Sequence, residues 1–204
     1  MKTLYLTSIG LGKLQTLTKQ FGEHPKIAFV STAADPYKDK WFVEVDRTKL
    51  TEMGFSLVDV DIKNRKKEEF KALLNDINVI YFTGGNTFYL LKKIKESGLD
   101  SIIREFVDKG GIYAGASAGA VLACPTIEPV QFVDDLKEAP DLRSYSGLDL
   151  IDFVILPHYG TKKYEEKYSQ TLQKYGNEKY DLLLLSDKQA VIAQDNTFRV
   201  VETD

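Results

Sequence analysis

The sequence predicts an α/β protein, a mostly parallel sheet with helices on both faces and an antiparallel C-terminal edge. Three observations predict it. Short apolar runs alternate with helix-period segments almost throughout the chain, the pattern of strand–crossover–strand units. Runs such as Lys26 to Ser31 (KIAFVS) and Val79 to Phe82 (VIYF) are apolar nearly without a break, as strands covered on both faces are. Near the C-terminus LLLL, AVIA and FRVV read as three short strands with no helix between them, which suits an antiparallel edge or hairpin.

In chain order, Thr3 to Ser8 reads as a strand and 11–21 as a helix. After KIAFVS, residues 39–53 place Trp41, Phe42, Val45 and Leu50 at helical spacing, and Gly54 ends that helix. Phe55 to Val60 is a strand; the charged run KNRKKEEF is a solvated face that opens a helix at about 66–75. VIYF leads into a glycine turn, two helices at about 87–97 and 99–109, and the strand Ile112 to Gly115. A helix starts at Ala118 and runs to Ala123, 125–150 is turn-rich, and Phe153 to Leu156 is a core strand running into Pro157-His158. A helix covers about 162–175.

A chain of 204 residues suits one domain, 1–204. With 43% hydrophobic residues, 11 Tyr and 11 Phe it has material for a sizeable core. Lys and Arg total 27 against 30 Asp and Glu, a net charge of −3 that argues against nucleic-acid binding by bulk electrostatics. One cysteine, Cys124, excludes an intramolecular disulfide, and two histidines, His24 and His158, disfavour a His-rich metal centre. The start, MKTLYLTSIGLGK, lacks a small-residue cleavage site and reads as a buried first strand, so a cytoplasmic protein is expected. Residues 110–127 carry no charge over the length of a membrane span, but their four glycines, Ser117, Pro125 and Thr126 fit a strand, a tight turn and a buried helix.

Three motifs carry chemistry. Gly115-Ala116-Ser117-Ala118-Gly119 is a G-x-S-x-G between strand and helix, the setting of a nucleophile elbow. Small neighbours let strand and helix approach, the serine Oγ is raised at the carboxyl edge of the sheet, and the helix N-terminus favours developing negative charge. His158, just past a strand end, opens at the same edge and is the candidate base; His24, in a polar loop, reads as solvated or structural. Thr83-Gly84-Gly85-Asn86-Thr87 follows another strand, and its Gly85 N–H with that of Ala118 would hold an oxyanion. Candidates for an orienting acid are Asp187, after LLLL, and Asp134 or Asp135 in the loop before the histidine.

These residues resemble the peptidase E family, the aspartyl dipeptidases and their relatives, the cyanophycinases included. The matching pieces are Gly84–Thr87, Gly115–Ala120, Ala123–Ile127, and Leu148–Leu150 leading to Pro157-His158-Tyr159, in family order over about 79–160. The resemblance implies a class I glutamine-amidotransferase-like α/β fold with flavodoxin-like layering and a serine peptidase acting on short peptides. It implies Ser117 as nucleophile, His158 as base, and Gly85 and Ala118 as oxyanion donors, with no metal or organic cofactor. The dipeptidase acid, matched without gaps, falls on Phe132; the cyanophycinase-type turn matches Asp187 with no shift, so Asp187 is taken as the acid and Asp135 as the alternate. Aspartyl dipeptidases hold the substrate's aspartate with an arginine soon after the histidine, and Thr161 to Tyr175 has none. Lys162, Lys163 and Lys167 are the cations at hand, and lysine lacks the planar two-pronged contact. Asn86, Lys162 and Lys167 are the expected substrate contacts.

The stripe Tyr164, Tyr168, Leu172, Tyr175 reads as a buried helix face, with a pocket wall or dimer contact as the alternative. Cys124 reads as a small buried residue inside the elbow helix. The partner implied is a small peptide, with the protein a monomer or homodimer and neither nucleic acid nor membrane involved. The rival readings are an esterase or amidase on the same elbow and a non-catalytic binding module of the same fold. A glutamine amidotransferase is disfavoured, since such enzymes carry cysteine where this chain has Ser117.

Overall fold

The computed structural model describes residues 1–63, 65–176 and 179–203; Asn64 of the charged run lies outside them. Its strands are β1 (Thr3–Thr7), β2 (Lys26–Val30), β3 (Ser56–Asp59), β4 (Val79–Phe82), β5 (Ile112–Ala116), β6 (Val154–Leu156), β7 (Leu182–Leu184), β8 (Gln189–Gln194) and β9 (Thr197–Glu202). Its α-helices are α1 (Leu14–Thr18), α2 (Trp41–Glu52), α3 (Lys67–Leu74), α4 (Thr87–Ser97), α5 (Asp100–Asp108), α6 (Ala118–Leu122) and α7 (Glu165–Tyr175).

Seven strands form one sheet in the order β3-β2-β4-β5-β1-β8-β9, parallel from β3 to β1 and antiparallel from β1 to β9. Alternate residues of the central strands feed two cores, as the period of two in a strand requires. Leu4, Leu6, Ile80, Phe82 and Tyr113 face α3, α4, α5 and α6, while Tyr5, Val79, Tyr81 and Ile112 face α1 and α2. Both faces are thus covered, which is why the strand sequences read as unbroken apolar runs.

Local chemistry sets the element ends. The Asn86 side chain accepts from the Tyr89 N–H at 2.8 Å and caps α4, which stops at Gly98 in the left-handed region at φ 63°. The last carbonyls of α6 and the residues after it are taken up by the returning chain: Leu148 and Leu150 N–H groups donate to Leu122 and Ala123, each at 2.8 Å.

Several elements depart from their expected course. Phe153 to Leu156 is expected in the main sheet, but β6 pairs in parallel with β7 as a separate two-stranded ribbon. The free edge of β1 is already occupied by β8, and β6, buried along its length, packs beside α6 instead. The helix expected over 11–21 is a short α1 followed by a 3₁₀ turn at Lys19–Phe21, and the one expected over 162–175 opens with a 3₁₀ turn at Lys162–Tyr164. Cys124 lies just past α6 rather than within it. Residues 110–127 resolve into β5, a tight turn and α6, and among the described residues no helix is long and apolar enough to cross a membrane.

The junction of β5 with α6 tolerates no side chain at two positions. A Cβ on Gly115 would lie 2.4 Å from the Gly119 carbonyl, and one on Gly119 would lie 2.3 Å from the Phe82 carbonyl oxygen. Gly119→Ala is therefore expected to lower stability by roughly 1–3 kcal/mol. Urea unfolding is the check: the midpoint should fall at an unchanged slope.

Candidate active site

Ser117 follows β5 directly and stands at the cap position of α6 with φ 50° and ψ −108°. A non-glycine backbone in that region costs about 1–3 kcal/mol and persists only where the surroundings impose it. They do so here: the Ser117 N–H donates to the Thr7 carbonyl at 2.9 Å, and its carbonyl accepts from Ala120 and Val121. The strained turn lifts the hydroxyl off the sheet's carboxyl edge.

The ribbon of β6 and β7 delivers two more groups to that edge. Its parallel register pairs Leu156 with Leu184, and Tyr159 N–H donates to the Leu185 carbonyl at 3.1 Å, so the turns after both strands run side by side. His158 adopts φ 63° in one turn, and Asp187 lies in the other. The result is a continuous line: Ser117 Oγ lies 2.9 Å from His158 Nε2, and His158 Nδ1 lies 2.6 Å from Asp187 Oδ1. The Tyr164 ring stacks on the imidazole at 5.2 Å with 19° between planes, and the Tyr168 hydroxyl donates to the Pro157 carbonyl. The tyrosine stripe is thus a buried helix face at Tyr168 and Tyr175, and at Tyr164 it packs against the histidine.

Sequence reasoning missed Ser8. This fully buried hydroxyl, one residue past β1, donates to Asp187 Oδ1 at 2.7 Å and accepts from the His158 backbone N–H at 2.8 Å. It bridges the main sheet to the ribbon. The available signal was its place at a strand end on the edge that also carries Gly84 and Ser117. Thr161 adds a second hydroxyl, donating to Asp187 Oδ2 at 3.1 Å. Partial burial alone would raise the Asp187 carboxyl, but Ser8, the His158 ring and Thr161 together hold it below the ordinary carboxylate value.

The other expected residues fall in different places. Gly85 follows β4 with φ 143°, and a Cβ there would overlap the Ala33 carbonyl oxygen at 2.1 Å. Among the described residues the N–H groups of Gly85 and Ala118 have no acceptor within the protein. Asp134 Oδ2 accepts from the Thr87 N–H at 2.8 Å and faces the cleft, where burial pushes its carboxyl up. Asp135 is exposed and caps the next turn through the Lys137 N–H at 2.9 Å, and among the described residues it makes no hydrogen bond to the imidazole.

The three residues expected as substrate contacts have different surroundings. Asn86 is 1% exposed, and its amide is spent on the frame, accepting from Tyr89 and donating to the Asp135 carbonyl. Lys167 donates to the Val133 carbonyl at 2.9 Å, and Lys162 is exposed outside the cleft lining. Lys163 does line the cleft. Cys124 accepts the Ile155 N–H on its Sγ at 3.3 Å, and burial pushes the thiol up to about 12, so it ties β6 to the end of α6 and is no nucleophile. His24 sits elsewhere, 3.2 Å from the Gly54 carbonyl.

The line opens into a cleft of about 560 Å³ whose lining includes Gly85, Asp134 and, from α2, Trp41, Phe42 and Val45. A smaller cavity of about 290 Å³ between α3 and α5 holds none of these groups. Among the described residues no group of three or more His, Cys, Asp or Glu side chains is arranged to hold a metal ion.

Fold and site together define an α/β protein with a Ser–His–Asp line at the carboxyl edge of its sheet. The chain belongs to peptidase family S51, whose family model matches residues 9–201. It is 32% identical over 201 residues to an uncharacterized peptidase of Listeria innocua, covering 94% of this chain and 96% of that one. It is 36% identical over 121 residues to peptidase E of Salmonella newport, 59% of this chain and 50% of that protein. A 1.5 Å crystal structure presented as a peptidase E candidate from Listeria monocytogenes superposes with a TM-score of 0.86 at 29% identity, covering 100% of both chains. The protein is accordingly a peptidase, a hydrolase of peptide bonds.

One buried acid in the cleft gives a pH test. Asp46 of α2 accepts from the Tyr81 hydroxyl at 2.7 Å, and burial pushes its carboxyl up to about 6. A raised carboxyl costs stability while it is ionised and the unfolded chain is too, so the cost is full above about pH 6 and gone below about pH 4. Asp46→Asn is expected to stabilise the protein at pH 7 by on the order of 2 kcal/mol. Denaturant unfolding of both proteins at pH 7, 5.5 and 4 checks it: the gain should shrink with each step down.

Proposed function

We propose that this peptidase is of the serine type and acts on short peptides, with a reach like that of a dipeptidase. The observation that carries the reading is the unbroken line from Ser117 Oγ through His158 to Asp187, at 2.9 and 2.6 Å. In it Nδ1–H donates to Asp187, which leaves Nε2 free to accept from Ser117, the tautomer that a general base requires.

The reaction follows from these positions. Ser117 Oγ attacks the scissile carbonyl carbon while His158 Nε2 takes its proton. The oxyanion forms opposite the Gly85 and Ala118 N–H groups, whose lack of an internal acceptor supports this role. Collapse of the tetrahedral adduct breaks the C–N bond, and His158 returns the proton to the leaving amine. A water molecule, deprotonated by His158, then cleaves the acyl ester and regenerates Ser117. Asp187 keeps the imidazole oriented and stabilises it while it is protonated, and Ser8 positions Asp187 and the His158 backbone. The cleft volume of about 560 Å³ suits a peptide of a few residues.

Ser117→Ala is expected to lower kcat on a dipeptide panel by ~10⁴ or more. Undiminished turnover by a purified variant rules this mechanism out. For the acid, Asp187→Asn should lower kcat by ~10²–10⁴, whereas Asp135→Asn should stay within a few-fold of the parent. Steady-state rates for the pair decide between them, and the opposite order would transfer the role to the loop after α6.

A further inference from the structure

We infer that the cleft selects its peptide by a large apolar side chain, bound along α2 beside Ser117; this rests on the serine-peptidase reading. Four large hydrophobic residues that the fold leaves open to water line this one cleft: Ile9 is 49% exposed, Tyr37 40%, Trp41 65% and Val45 39%. Half-buried Phe42 organises them, with the Tyr37 and Trp41 rings each 6.1 Å from it in edge-to-face geometry. Their faces are thus held ready. Such a concentration of exposed apolar surface marks a place that something covers.

The cleft's charged groups show what that something is. Asp39, Asp46, Asp134 and Asp187 line it against Lys49 and Lys163, and none of its described lining residues is an arginine. This balance repels an acidic side chain. It does not call for a cationic one either, because each carboxylate already has a donor. Asp39 accepts from Trp41 N–H, Asp46 from Tyr81, Asp134 from Thr87 N–H, and Asp187 from Ser8 and Thr161. The Lys163 ammonium lies over the Tyr164 ring, 5.1 Å from its centre. The carboxylates have donors, whereas Ile9, Tyr37, Trp41 and Val45 keep apolar surface open to water, so what the cleft lacks is an apolar surface to cover them. Because the strip is continuous with Ser117 in one cavity of about 560 Å³, the occupant is the substrate's own side chain.

The test is a matched panel of X-Ala and Ala-X dipeptides in which X is Phe, Leu, Ala, Asp or Lys. It is run beside labelling of Ser117 by a fluorophosphonate and measurement of molecular mass by light scattering. Phe or Leu, in one of the two positions, should exceed Ala, Asp and Lys in kcat/KM by ~10-fold or more. In the double variant Trp41→Ser, Val45→Thr the Phe-to-Ala ratio should collapse toward one, a ratio taken within one preparation and so independent of how much protein folds. A flat or Asp- or Lys-led series from a protein that still labels at Ser117 overturns apolar selection and leaves the serine-peptidase reading standing. A protein that neither labels nor cleaves overturns both. A dimer that the double variant dissociates without changing selectivity assigns the strip to a contact between copies and overturns the inference.

Discussion

The constraint on which the site depends is the bare backbone contact between α6 and two strands. Gly115 meets the Gly119 peptide, and Gly119 meets the Phe82 carbonyl, at distances that exclude even a methyl group. Because the helix begins that close to the sheet, the residue between strand and helix has no room to turn in an ordinary conformation, and Ser117 takes φ 50°. Strain and close approach are one fact. Relaxing the glycines would let Ser117 fall back toward the strand and lower its hydroxyl out of the cleft. Gly84 belongs to the same arrangement, since a Cβ there would stand 3.4 Å from that of Ser117.

Ser117 thus belongs to the main sheet, whereas His158 and Asp187 belong to the turns that follow the β6–β7 ribbon. Two bodies built from different parts of the chain must be held in register to a few tenths of an ångström. Hydrogen bonds of three kinds help do this: Cys124 Sγ receives the Ile155 N–H, the returning chain at Leu148 and Leu150 binds the end of α6, and Ser8 bonds both turns of the ribbon. A buried thiol is a modest acceptor, but it fills the space where a larger residue would push β6 outward.

Much of this was legible in the sequence, for a reason that separates local from non-local causes. The strands, the elbow and the turn after β4 announce themselves because their requirements are met by neighbours in the chain: glycines where backbones meet, apolar runs where both faces are covered. Ser117, Gly85 and His158 could be singled out on those grounds. The choice between Asp187 and Asp135 could not, since it turns on whether β6 pairs with β7, a contact between residues far apart in the chain. Ser8 was hidden for the same cause. The capping role of Asn86 was hidden too, because an asparagine after a strand looks the same whether its amide faces a cleft or caps a helix. Trp41 and Val45 have the spacing of a core face, and only the placement of α2 at the sheet's edge shows that part of this face stays open.

The groups along the cleft come from positions 8, 85, 117, 158 and 187, nearly the whole span of the chain. A ribosome-bound chain that has released residues only as far as β5 and α6 already holds the serine, the glycine turn and the first strand, yet neither the imidazole nor its carboxylate. The last of the line to emerge is Asp187, just ahead of β8, which closes against β1 beside Ser8. Assembly of the Ser–His–Asp line therefore waits on the segments that follow α6, and it reports on docking of the β6–β7 ribbon and β8 rather than on formation of the parallel core.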